Sequence, residues 1–261
     1  MRVSVIIPTH NEAHAIGRVL SDLPCDLVTE VLVVDSNSND GTQEIARKMG
    51  ARVLVEPRRG YGRACLTGLA NASAPDVVVF LDGDYSDRPS ELPILLAPII
   101  EDRADITLGS RLGPQRAPGA LPWHSAFGNR LAAALINLLY RLKISDLGPF
   151  RAGRADVLRA LALEETTYGW AVEMILKGTL EGFRIVEVPV SYYPRIGKSK
   201  ISGTLKGTIG ATWFILSLIL RYYFRCRTGR SGATTKGKTY HDATTKVHHG
   251  DTETQSHTEK N

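Results

Sequence analysis

Four short runs of branched apolar residues set the terms for this chain: VSVII at 3–7, VLVV at 31–34, RVLV at 52–55 and VVVFL at 77–81. Between them lie stretches that read as helices, at 12–23, 41–49 and 61–72. The runs are continuous rather than alternating, the pattern of strands covered on both faces in a parallel sheet. Strands alternating with helices in this order predict a doubly wound α/β fold. Asp40 is placed to cap the second helix, with Gln43 three residues on as its capping-box partner. In such sheets ligands bind outside the carboxyl ends of the strands. Three of those ends carry polar clusters, PTHNE at 8–12, DSNSND at 35–40 and the acids of 82–87, so all three are expected at one edge.

Beyond them a strand is expected at 106–109, a Gly/Pro/Ala-rich loop at 113–122 and a strongly apolar helix at 126–142. Shorter helices are expected at about 154–163 and at 170–180, and a strand at 184–190. With 261 residues, 43% of them hydrophobic, the chain can bury the core of one large α/β domain with appendages. Its three cysteines, Cys25, Cys65 and Cys226, are far apart and form no CxxC pair. That argues against a disulfide framework or a zinc site and fits a reducing cytosol. The short apolar run ending at Pro8 reads as a strand, not a signal peptide. From Thr228 onward almost nothing is apolar, so disorder is expected. The tail histidines, His241, His248, His249 and His257, read as solvated rather than as a metal site. The expected organisation is a main domain over 1–200, an amphipathic helix over 201–227 and a polar tail over 228–261.

The most demanding stretch is FLDGDYSDRP, residues 80–89. A buried strand stops there at Asp82, Asp84 and Asp87, and like charges about 4 Å apart cost roughly 4 kcal/mol at an effective dielectric of 20. A cation would relieve that cost. Hard divalent ions take oxygen ligands, and Mg²⁺ or Mn²⁺ typically uses one or two carboxylates together with substrate phosphates. Gly83 between the acids lets backbone approach a ligand closely. A pair of turn acids satisfied by water is the alternative, and the triplet alone does not decide. Its place beside two other polar tips favours the metal.

Taken in order, PTHNE, VVDSNSNDGT, FLDGDYSDRP, GSR at 109–111, DLGPFRA at 146–152 and RIGKSK at 195–200 resemble the family 2 glycosyltransferases. The similarity spans about residues 3–225 and is greatest to the dolichol-phosphate mannosyltransferase and polyprenyl-phosphate glucosyltransferase branch. The resemblance implies a GT-A fold, a mostly parallel Rossmann-like sheet flanked by helices. It implies a nucleotide-sugar cradle at Pro8, Thr9, His10, Asn11 and Glu12, with Val34, Asp35 and Ser36 beside it. His10 stands where the family usually has Tyr; its ring can still stack, less broadly, and a surface loop residue is the alternative. Ser36 replaces an acid that reads the base, and Asp35 could equally cap its turn. Asp82, Gly83 and Asp84 match the metal and diphosphate site, with Ser86 at the third ligand position and Asp87 next to it. Arg111, Arg195 and Lys200 are implied over the phosphates, the last two on a loop one residue shorter than the family's, although a basic loop can also be merely solvated. Asp84, Arg111 and Arg195 are the residues implied to carry catalysis. His124, Asn129 and Arg130 are candidates on the acceptor side, as are Phe150, Arg151 and Glu173.

The chemistry follows from the acceptor. A sugar hydroxyl needs a general base as it attacks. A phosphate monoester is already largely dianionic near neutral pH and can attack an anomeric carbon without one. The chain also lacks a QxxRW segment, which favours a single transfer. From Arg195 to Arg230 there are eight Lys or Arg and no Asp or Glu, enclosing TIGATWFILSLIL at 208–220. That core is shorter than the roughly 20 residues of a membrane span and suits an interfacial helix on an anionic membrane surface, or else a buried core helix. Together with this chemistry, the resemblance implies an inverting, metal-dependent hexosyltransferase. It would act on GDP-mannose or UDP-glucose and a polyprenyl or dolichyl phosphate at the cytoplasmic membrane face. A membrane subunit or homo-oligomer is compatible with this, and no nucleic-acid partner is expected. A soluble transferase with a small acceptor and a non-catalytic sugar-nucleotide binder are the alternatives.

Overall fold

A computed structural model describes residues 1–197 and 205–229 of the chain. Lys200 and the tail from residue 230, with its four histidines, lie outside the described residues. The elements run β1 (Val3–Thr9), α1 (Ile16–Ser21), β2 (Glu30–Asp35), α2 (Thr42–Lys48), β3 (Arg52–Val55), α3 (Tyr61–Asn71) and β4 (Val77–Phe80). Then come α4 (Leu92–Ile100), β5 (Ile106–Ser110), α5 (Trp123–Tyr140), β6 (Arg151–Arg154), α6 (Ala155–Ala160), α7 (Trp170–Leu180), β7 (Ile185–Pro189) and α8 (Leu205–Gly229).

The seven strands form one sheet in the order β3-β2-β1-β4-β6-β5-β7. Every pairing is parallel except those of β6, which runs against both β4 and β5. Alternate residues of β1 feed two cores. Val3, Val5 and Ile7 pack with Val77, Val79 and Leu81 and with residues of α1, α2 and α4. Ile6 packs on the other face with Val78, Phe80, Trp170 and residues of α3, α5, α7 and α8. Period-two alternation of a strand covered on both sides produces this division. The order reverses at β1, where β2 and β4 lie on opposite sides, and that is where open α/β sheets bind ligands.

Several local expectations change. The helix expected over 12–23 shortens to the six residues of α1, because residues 12–15 form a turn in which Glu12 O accepts from Ala15 and Ile16 N–H at 2.9 Å each. The capping box at α2 does not form. Gly41, at φ 93°, is the N-cap, and the Gln43 amide donates to Asp35 Oδ2 at 2.7 Å instead. Asp40 Oδ1 still accepts from Thr42 N–H at 3.1 Å. Strand β6 and helix α4 were not expected at all. Helix α8 is docked against the domain: Leu218 and Ile219 are buried, and the Tyr140 hydroxyl donates to Ile219 O at 2.8 Å. A Cβ built on Gly128 of α5 would collide with Thr212 Oγ1 of α8, so the missing side chain lets the two helices approach. No described helix is long and apolar enough to cross a membrane.

Candidate active site at the acidic sheet edge

The loops after β1 and β2 are laced together before any ligand is considered. Ser36 N–H donates to Thr9 O at 2.8 Å, and His10 Nδ1 to Ser36 O at 2.8 Å. Asn11 N–H reaches Ser38 Oγ at 2.8 Å, Asn39 N–H reaches Asn11 Oδ1 at 3.1 Å, and Glu12 N–H reaches Thr42 Oγ1 at 2.9 Å. Asp35 is fully buried and saturated, accepting from Thr9 Oγ1, from Ser38 through both N–H and hydroxyl, and from Gln43. Its carboxylate builds the loop, which leaves it no lone pair to spare for a base. Val34 is also fully buried, its side chain in the core rather than in the cradle.

The acids of the third tip meet this cradle. A Cβ on Gly83 would lie 2.8 Å from Thr9 Cγ2, so only glycine lets the tip settle onto β1. Ser86 holds Asp84, giving both its N–H (2.9 Å) and its hydroxyl (2.6 Å) to Asp84 Oδ1. Burial first, and then the neighbouring Asp84 charge, push the Asp82 carboxyl up to about 7. Asp87 is 1% exposed, neither carboxylate oxygen has a hydrogen-bond partner among the described residues, and burial followed by Asp82 raises its pKa well above the usual range.

A cation does wait at the tip, and it is Arg195. Its guanidinium bridges Glu12 Oε1 at 3.0 Å and Asp84 Oδ2 at 3.2 Å. The segment carrying it lies along the acids: Tyr193 N–H donates to Ser86 O at 2.9 Å, Ile196 N–H to Asp84 O at 3.0 Å, and Asp87 forms a backbone bridge with Tyr192. Arg88 is sandwiched between the rings of Tyr85 and Tyr193, at 4.3 and 3.7 Å. The described residues contain no group of three His, Cys, Asp or Glu poised to hold a metal by themselves. Two carboxylates and the oxygens of a diphosphate suffice for Mg²⁺ or Mn²⁺, so Asp82 and Asp84 fit such an ion as part of a substrate complex.

Arg111 stands on the far side, over the Tyr192 ring at 5.1 Å. Its Nε and one terminal amino group bind Asp146 at 2.8 and 2.9 Å, its backbone N–H adds 2.7 Å, and Asn129 also donates to that carboxylate. Burial works against the Arg111 charge, but Asp146 more than offsets it and its pKa rises. Asp146, the first residue of DLGPFRA, was not expected to be a functional residue. The signal available was its acid at the head of the quoted DLGPFRA motif. Tyr61, whose hydroxyl is buried without a partner among the described residues, was also unforeseen; glycines on either side of it in RRGYGRA were the clue.

The side chains of three acceptor candidates are taken up by the protein interior. Phe150 is fully buried in the core on the opposite face of the sheet, with Val190 and Ala152. Arg151 is fully buried and bound to Ala171 O at 2.7 Å and to Gly148 O. The Glu173 carboxylate accepts from Glu165 N–H at 2.7 Å, Glu164 N–H at 3.0 Å and the Tyr222 hydroxyl at 2.9 Å, and pairs with Lys177 at 2.9 Å. It ties α7, the 164–165 loop and α8 together and has little capacity left for an acceptor. On α5, Asn129 turns to Asp146 while Arg130 is exposed and His124 lies near Ser125 Oγ, at 3.4 Å.

Residues 4–162 match the family model described as glycosyl transferase family 2. The chain is 36% identical over 221 residues to an uncharacterized glycosyltransferase of Mycobacterium tuberculosis, covering 82% of this chain and 98% of that one. It is 36% identical over 222 residues to an undecaprenyl-phosphate mannosyltransferase of Micrococcus luteus (79% and 90% covered). It is 35% identical over 204 residues to a dolichyl-phosphate hexose transferase of Haloferax volcanii (76% and 86%). Among solved structures, glucosyl-3-phosphoglycerate synthase from M. tuberculosis, in complex with Mn²⁺, UDP and phosphoglyceric acid, superposes with a TM-score of 0.69 at 23% identity. That match covers 85% of this chain and 78% of that one, and it gives this sheet the GT-A architecture. The matched segment holds the laced loops and the acidic tip, and the chain is a glycosyltransferase belonging to glycosyl transferase family 2.

Proposed function

We propose that this glycosyltransferase moves a hexose from a nucleoside-diphosphate sugar, GDP-mannose or UDP-glucose, to a polyprenyl phosphate at the cytoplasmic face of a membrane. The observation that carries the donor half is the Arg195 bridge between Glu12 and Asp84. It marks a place where the fold needs positive charge, set between two loops with polar groups turned to the sheet edge. Asp82 and Asp84 would hold Mg²⁺ or Mn²⁺, which would neutralise charge on the departing nucleoside diphosphate. The chain's own part is to align the two substrates and keep the donor's phosphates among cations. Arg195 is placed to exchange its carboxylate partners for phosphate oxygens, a fork-shaped recognition suited to guanidinium. Arg111, held rigid by Asp146, presents charge on the opposite side.

The lipid half rests on an apolar face. Trp123, Phe127, Leu131 and Leu138 form an exposed stripe along α5, and Ile209, Trp213, Leu220 and Phe224 another along α8. The two helices pack together, and exposed Arg130, Arg221 and Arg225 accompany them. Contiguous exposed apolar surface flanked by basic residues suits an anionic lipid interface. Asn129 links α5 to Asp146 and Arg111, so the stripe begins next to the proposed phosphate site. The names of the Micrococcus and Haloferax relatives support the same acceptor class.

A phosphate nucleophile needs no dedicated base, so the proposed reaction is a direct displacement with inversion. The test is a transfer assay with radiolabelled GDP-mannose and UDP-glucose, with and without Mn²⁺, offering polyprenyl phosphate or phosphoglyceric acid. Label in the lipid with inverted configuration supports the reading. Label only in phosphoglyceric acid, or retained configuration, refutes it.

A further inference from the structure

Asp87 is a buried carboxylate of the acidic tip whose oxygens have no hydrogen-bond partner among the described residues. Asp84 is held by Ser86 and Arg195, Glu12 by Arg195, and Asp146 by Arg111 and Asn129. Asp87 is as buried as any of them, yet both its oxygens lack a hydrogen-bond donor among the described residues. Even where burial keeps a proton on it, a carboxyl has at least one oxygen that only accepts, and leaving that oxygen unmatched in the interior is costly. Its position explains the burial: the segment 192–196 lies across it, joined by the Tyr192 backbone bridge and the Tyr193–Ser86 hydrogen bond. Arg195, on that same segment, sits where the donor's phosphates are proposed to bind. A donor that drew Arg195 away from Glu12 and Asp84 would uncover Asp87.

What enters must bring hydrogen-bond donors. Phosphate oxygens cannot, because they only accept and would at most take the proton that burial holds on Asp87, leaving its other oxygen unmatched. A metal held jointly by Asp87 is disfavoured, since the described residues offer no three-acid group at metal-binding geometry. Sugar hydroxyls remain: neighbouring ring hydroxyls present two O–H donors at the spacing of one carboxylate's two oxygens. We propose that Asp87 is a specificity-determining residue that reads the hexose of the donor, accepting hydrogen bonds from two adjacent ring hydroxyls. The proposal rests on the nucleotide-sugar reading above and adds to it which residue recognises the sugar.

The experiment compares two ligand pairs, GDP with GDP-mannose and UDP with UDP-glucose, by calorimetry in Mn²⁺ with the wild-type chain and D87N. Replacing one of the two carboxyl oxygens by a donor amide should weaken the sugar nucleotide by roughly tenfold or more while the bare diphosphate stays within about twofold. Equal weakening of both ligands makes Asp87 part of the metal and diphosphate site and overturns the proposal, as does no change in either. If neither diphosphate binds the wild type, the nucleotide-sugar reading itself fails. Should D87N not fold, the wild-type chain is titrated with deoxy-hexose donors instead. Weakening confined to one or two adjacent positions supports the assignment, and equal binding of every analogue overturns it.

Discussion

Replacing Arg195 by Met removes the cation from the acidic tip while keeping much of the side chain's apolar stem. The guanidinium is 27% exposed and its partners, Glu12 and Asp84, only 10% and 8%, so the pair is partly shielded from solvent. A hydrogen bond to a charged group contributes about 1.5–3 kcal/mol, and depriving two shielded acids of their shared guanidinium adds to the loss. Allowing for the exposure of the arginine, the variant should be less stable by about 2–3 kcal/mol. For a chain of this size that lowers Tm by about 4–12 °C, readable by calorimetry or circular dichroism. The same change should raise affinity for Mn²⁺ alone, by roughly tenfold, because the ion no longer displaces a tethered competitor. Nucleoside diphosphate with Mn²⁺ should bind more weakly, since a phosphate ligand has gone. Opposite signs for the two ligands are the signature. A variant that melts with the wild type and binds Mn²⁺ unchanged would refute the view that Arg195 occupies the cation site.

Three further outcomes are expected. The Asp82 carboxyl, pushed up to about 7 by burial and Asp84, holds its proton in the folded chain over a range where the unfolded chain, near 3.9, has lost it. Its contribution to stability is present below about pH 4 and lost as pH rises through 7, and Mn²⁺ must expel that proton below 7. Titrations at pH 6, 7 and 8 should show Mn²⁺ affinity rising and then levelling, and D82N should flatten the curve. Glu173→Ala strands two backbone N–H groups and the Tyr222 hydroxyl, and should cost about 3–5 kcal/mol in urea unfolding. An unchanged midpoint would contradict that clamp. Trp123→Ser with Trp213→Ser removes two exposed rings, 77% and 74% accessible, and should weaken sedimentation with anionic vesicles by at least about tenfold. Equal sedimentation would count against the lipid face.

The sheet and its acidic edge were legible because buried parallel strands are written as uninterrupted Val, Ile and Leu. Strand β6 was not, because its four residues are RAGR and owe their strand conformation to pairing with β4 and β5. Helix α4 carries Pro93 near its start and Pro98 inside, which breaks the local pattern; its burial against the sheet overrides it. At the site, residue types pointed to the right neighbourhood, while tertiary hydrogen bonds decided roles. Gln43 left its cap for Asp35, and Asp35 itself is consumed by its loop. Phe150 and Arg151 sit close in sequence to Asp146, and Glu173 on α7, yet all three spend their side chains on the interior. No local signal distinguishes a buried Glu that closes a loop from one that faces a substrate.

Reversal of a single strand has a consequence for how the cleft can vary. Because β6 runs opposite to its neighbours, its first residue, Arg151, lies level with Phe80 at the end of β4. The chain therefore reaches the shared rim twice, once on leaving the forward strands and once on entering the backward one. Asp146 arrives by the second route. Lengthening the stretch between residues 111 and 145 would reshape the wall around Arg111 while the register of β1, β2 and β4 beneath the opposite wall stayed fixed.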